Sequence, residues 1–75
     1  MTLDTFVQGF AELFDETDPS EIQATTIFHD LDEWSSLTGM AVLAYVKSIS
    51  GRTISPGELR KCVTVEDVYM LSMSK

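Results

Sequence analysis

Two adjacent hydroxyls, Ser35 and Ser36, open the most apolar stretch of the chain, Trp34-Ser35-Ser36-Leu37-Thr38-Gly39-Met40-Ala41-Val42-Leu43-Ala44-Tyr45-Val46. A serine in that position either caps a helix or carries a group. Side-chain oxygens of Ser, Thr, Asp and Asn accept from the free amides of a first helical turn, so Ser35 or Ser36 marks a helix start, and a hydroxyl there is open to modification. Nucleophilic catalysis needs more. His29, the single histidine, is the one candidate base for Ser36, but no acid and nucleophile at suitable spacing complete a triad, and a solvated loop histidine is expected. A hydrolase would also need an oxyanion site that no residue supplies. Cys62, the single cysteine, lacks a partner for a disulfide or a metal site and is expected to be a small buried apolar side chain. Asp30, Asp32 and Glu33 form an acidic cluster just ahead of the serines. Such a run is ordinarily a solvated face; its functional readings are a docking patch for a basic partner or a loose metal-ion site.

The helix begun by the serines must end near Gly51, the residue that most easily takes the left-handed conformation just past a helix, followed by Arg52 beside the negative pole. At about 100° per residue, Leu37, Met40, Ala41 and Ala44 share one stripe, and Val42, Tyr45, Val46 and Ile49 a roughly opposite one. Both stripes are apolar. A chain of 75 residues has no large core to swallow such a helix, so one side should be covered by the chain itself and the other left for a partner.

Three further elements are expected around it. Leu3, Phe6, Val7, Phe10, Leu13 and Phe14 have the spacing of an amphipathic helix over Leu3 to Glu16, its phenylalanines being a core face rather than a ligand box, and Asp18-Pro19 stops it. Thr17 to Trp34 has no period and reads as a long loop with one helical turn near Ser20 to Ala24, tethered by Ile22, Ile27, Phe28, Leu31 and Trp34. Ser55-Pro56-Gly57-Glu58 is a capping box with proline at the first helical position, opening one or two turns. A last helix starts at Thr64, capped with Asp67, turns Val65, Val68, Tyr69 and Ser72 to one side and frays near Met73 to Lys75. Val63 and Val65 have no second alternating run to pair with, so an all-α fold is expected.

Composition narrows the function classes. The length fits one domain, residues 1–75, too small for a deep cleft. Twelve acidic against five basic residues give a formal charge of −7, which repels nucleic-acid phosphates and anionic lipid and suits basic protein partners. No run approaches about 18 apolar residues. The start Met1-Thr2-Leu3-Asp4 lacks the basic and apolar stretches of a signal peptide, so a cytoplasmic address is expected.

The order of these features resembles the acyl carrier protein family over nearly the whole chain. It runs from a long helix through a long loop ending in Phe28-His29-Asp30-Leu31 and a tryptophan-containing approach to Ser36-Leu37 opening a second helix. A small third helix and a final Thr64-Val65-Glu66-Asp67 helix follow. The resemblance implies a small four-helix bundle, three main helices plus one short helix, with a long first loop. In that family an Asp-Ser-Leu motif carries 4'-phosphopantetheine on its serine; the resemblance assigns the arm to Ser36, with Ser35 standing at the motif aspartate. It implies a free-standing carrier without catalytic activity of its own. Such a carrier holds acyl or aminoacyl intermediates as thioesters and presents them to enzymes of fatty-acid, polyketide or a specialised biosynthesis. The implied partners of this monomer are a phosphopantetheinyl transferase and the loading, condensing or transferring enzymes, with no nucleic acid and no membrane.

The family's second helix is typically acidic, whereas Ser36 to Ser50 contains no acid and only Lys47 as a charge. Partner contact is therefore expected to lean on Leu37, Met40, Ala41 and Ala44, with Asp30, Asp32 and Glu33 steering. The alternative reading is an unmodified helical interaction module that uses the same apolar face, with Ser36 merely part of the cap.

Overall fold

The phenylalanine spacing in the first segment decides the core. In the computed structural model, which describes residues 2–73, helix α1 (Leu3–Ala11) buries Phe6, Phe10 and Ala11, and Phe14 lies buried just beyond it. Phe10 stacks in a tilted pair with Phe14, their centroids 5.7 Å apart, and meets Phe28 edge-on at 5.8 Å. Each buried ring contributes on the order of 1.5–3 kcal/mol. The Thr2 cap, whose Oγ1 accepts from the Thr5 amide at 3.2 Å, is worth about 1 kcal/mol. Packing therefore outweighs local propensity in holding α1.

Helix α1 stops at Ala11, five residues short of the expected Glu16. Residues 12–14 tighten into a turn, with Leu13 and Phe14 amides donating to the Phe10 and Ala11 carbonyls. The amides of Asp15 and Glu16 donate instead to the Glu33 carboxylate at 2.8 and 2.9 Å. That carboxylate replaces the carbonyl partners a longer helix would offer, and Asp15 and Glu16 themselves sit badly at a negative helix pole.

The segment from Thr17 to Trp34 is tied down throughout. Asp18 caps a 3-10 turn over Pro19–Glu21, and a second such turn spans Phe28–Asp30. Ile22 and Phe28 are buried and Leu31 and Trp34 are packed against the core, as expected of tethers. Ile27 is not a tether: its side chain is 45% exposed. Its backbone forms an isolated antiparallel bridge with Thr64, which turns the side chain outward.

Helix α2 (Ser36–Ser50) begins and ends at the expected residues. Ser35 is its N-cap, with Oγ accepting from the Thr38 amide at 3.4 Å, and Gly51 closes it in the left-handed region at φ 73°. Helix α3 (Pro56–Lys61) carries the complete capping box between Ser55 and Glu58. Helix α4 (Val65–Met73) buries Val65, Val68 and Ser72. Its start is a reciprocal cap: Thr64 Oγ1 accepts from the Asp67 amide while Asp67 Oδ2 accepts from the Val63 and Thr64 amides. Of the fraying expected near Met73 to Lys75, Met73 is still helical and Ser74 and Lys75 lie outside the described residues.

Helix α1 packs on α4, and α2 on both α3 and α4, giving an all-α bundle of 31 × 24 × 19 Å with no strand among the described residues. Val42 and Val46 point fully into the core, and Tyr45 and Ile49 are partly buried. The opposite stripe of α2 faces out: Leu37 is 78% and Met40 67% exposed, Ala44 is exposed and Ala41 half-buried.

Candidate functional site

Ser36 occupies the first helical position of α2, and its side chain is exposed. Capping is done by its neighbour, because Ser35 Oγ takes the Thr38 amide and lies 3.3 Å from Thr38 Oγ1. The Ser36 hydroxyl is thus spared from the cap. First-turn amides and the helix dipole favour an anion at that end by about 0.3–1 kcal/mol when exposed.

Beside Ser36 runs an open groove of about 480 Å³ between α2 and α3, lined chiefly by Trp34, Gly39, Met40, Leu43, Leu59 and Arg60. Helical spacing explains the α2 wall, since Ser36, Gly39, Met40 and Leu43 fall at i, i+3, i+4 and i+7. Trp34 closes one end and is fixed from three sides. Phe14 stacks on it at 6.4 Å, and Phe28 and His29 meet it edge-on at 4.8 and 5.2 Å.

His29 is therefore not the solvated residue its loop position suggests. It is half-buried, its ring packs 4.2 Å from Phe28, and its Nε2 donates to the Cys62 carbonyl at 3.0 Å. A carbonyl can only accept, so the proton is on Nε2. The ring clamps the loop to the α3–α4 junction.

The acidic cluster divides in two. Asp30 and Asp32 are exposed and free to act at a distance, but Glu33 is committed to the loop. Besides the two amides, its carboxylate accepts from Thr17 Oγ1 at 2.9 Å. Partial desolvation pushes the Glu33 pKa up, and the Glu16 amide, the Thr17 hydroxyl and the Asp15 amide outweigh it, holding the group below its usual value. The expected steering role is thus left to Asp30 and Asp32. A second open groove, also about 480 Å³, lies among Glu16, Glu21, Asp30, Asp32 and Glu33. No group of three or more His, Cys, Asp or Glu side chains among the described residues is arranged to hold a metal ion.

Cys62 is buried, and its Sγ donates to the Glu58 carbonyl at 3.5 Å. Burial, then the charges of Asp67 and Glu58, raise its pKa, which makes the thiolate scarcer and the residue less reactive.

Gly39 and Arg60 are the lining residues that sequence reasoning passed over. Gly39 had a signal: it lies three residues from Ser36 in a helix interior, where glycine costs about 1 kcal/mol relative to alanine. Arg60 had none, because only the packing of α3 on α2 brings it to the groove. Among the described residues no helix is long and apolar enough to cross a membrane. Neither the family models, the curated proteins nor the solved structures compared with this chain match it.

Proposed function

We propose that this protein is an acyl carrier that holds acyl or aminoacyl groups as thioesters on a 4'-phosphopantetheine arm joined to Ser36. The observation that carries the reading is a solvent-facing hydroxyl, spared from capping, at the positive end of a helix whose adjoining face is apolar and uncovered. The chain would bind and present the cargo and perform no reaction itself. A phosphopantetheinyl transferase, bringing its own metal and the coenzyme A donor, would activate the hydroxyl, since His29 is tied to the Cys62 carbonyl. Leu37, Met40 and Ala44, with half-buried Ala41, form the handle for loading and condensing enzymes, and exposed Asp30 and Asp32 supply attraction to a basic rim. A cytoplasmic site of action and a monomeric carrier belong to the same reading, as does service to fatty-acid, polyketide or a specialised biosynthesis.

Coexpression with a broad-specificity phosphopantetheinyl transferase tests it by intact mass. The wild-type chain gains one arm, and Ser36→Ala gains none. A wild-type chain that stays unmodified overturns the carrier and favours a protein-interaction module, for which the bare Leu37 and Met40 surface is the supporting observation.

A further inference from the structure

Sulfur meets solvent unevenly over this protein. Cys62, the single thiol, is buried in the core cluster, and burial raises its pKa, so the thiolate that oxidants attack is scarce. The thioethers are open instead: Met40 is 67%, Met70 62% and Met73 44% exposed. A thioether reacts with a peroxide without first losing a proton, so exposure governs its susceptibility.

The three thioethers differ in place. Met70 and Met73 belong to α4, whereas Met40 borders the groove beside Ser36. Met40 follows Ser36 by four residues on α2, a spacing that brings Cβ atoms to about 5–6 Å on one helix face. It also stands three residues after Leu37 and four before Ala44, in the middle of the uncovered stripe. A contact at the centre of a docking face carries much of its energy, because the residues around it exclude water. A polar group introduced at that sulfur therefore acts on the whole handle.

We propose that Met40 is an oxidation site through which peroxide controls docking of the chain on its enzymes, an inference that rests on the carrier reading. Hydrogen peroxide supplies the oxygen. The sulfur lone pair attacks one peroxide oxygen, the O–O bond breaks as the S–O bond forms, and the departing hydroxide takes the proton of the transferred hydroxyl and leaves as water. Sulfide is oxidised to sulfoxide and peroxide is reduced. The product is a polar group in an apolar handle. Seated in a partner's apolar cleft it sheds its water without gaining a hydrogen-bond donor, which opposes docking. A methionine sulfoxide reductase reverses the step, its electrons coming from a dithiol that becomes a disulfide while the oxygen leaves as water.

The test compares wild type, Met40→Leu and Met70→Leu/Met73→Leu before and after hydrogen peroxide, with oxidised residues assigned by peptide mapping. The readout is kcat/KM for arm transfer by the broad-specificity phosphopantetheinyl transferase, each chain being compared with its own unoxidised form. Oxidised wild type and oxidised Met70→Leu/Met73→Leu lose about tenfold, the effect of one central contact. Reductases for both sulfoxide epimers restore these two, and Met40→Leu loses nothing on oxidation. The oxidised chains stay folded at the assay temperature, because Met40 stands clear of the core. The inference is overturned by a Met40 that resists peroxide while Met70 is oxidised, by an oxidised wild type that takes the arm at its former rate, by an equal loss in Met40→Leu, or by an oxidised wild type that unfolds. In each of these the unoxidised wild type still takes the arm, and the carrier reading stands. An unoxidised wild-type chain that takes no arm overturns both.

Discussion

Glu33 shows how one side chain can decide where a helix ends. Its carboxylate takes the two amides after α1 and the Thr17 hydroxyl, and these bonds hold its pKa below the usual carboxylate value. A depressed carboxylate stabilises the fold above its unfolded pKa, about 4.3, and that stability is lost as pH falls through the folded value. Glu33→Gln therefore melts below wild type at pH 7, and the two converge as pH is lowered toward about 2. Paired melts across that range check it; a gap independent of pH would show that the charge is irrelevant. Single residues were legible where their partners are near in sequence. The Ser55 and Glu58 box and the Ser35 cap each close within three residues. Glu33 reaches back 16 to 18 residues and His29 spans 33 to Cys62. No local pattern encodes such pairings, so a steering acid and a solvated histidine were the readings available.

Among the helices, α1 and α2 are locked by a close approach that propensity alone would miss. Tyr45 lies over Gly9, donates to the Phe6 carbonyl at 3.1 Å and packs its ring 5.4 Å from Phe6. Burial, and secondarily Glu12, raises the Tyr45 pKa, so the phenol keeps its proton at neutral pH. By propensity, Gly9→Ala should stabilise α1 by about 1 kcal/mol. Here the new methyl must displace a hydrogen-bonded ring, and the expected outcome is a loss of about 1–3 kcal/mol. Thermal melting reads this directly; an unchanged or raised Tm would mean that the ring moves aside freely. The limits of α2 and α3 could be read from caps, whereas α1 was overextended because its apolar spacing continues through Phe14 after the helical bonding has stopped. Phe14 is nonetheless buried. Its periodicity correctly reported which side faces the core and misreported the backbone.

For the whole molecule, a formal charge of −7 on 75 residues means that folding gathers like charges, with Glu16, Glu21, Asp30, Asp32 and Glu33 around a single groove. Added sodium chloride or a divalent cation screens that repulsion and raises Tm by several degrees, since about 1 kcal/mol moves a domain of this size by roughly 4–8 °C. A Tm indifferent to both would show that the charges are too well solvated to repel. The all-α architecture was legible from periodicities and caps. The α2–α3 groove was not, because it exists only once two distant helices are side by side.

The first amides of α4 donate to the Ala24 and Thr26 carbonyls, beside the bridge between Ile27 and Thr64. The long connection is thereby a strap fastened to the last helix by main-chain bonds, and swinging it outward would strip the Val65 and Glu66 amides of their partners. Any breathing that widens the mouth near Ser36 then falls to the six residues of α3, the shortest rod in the bundle and the one with the least of its own packing to give up.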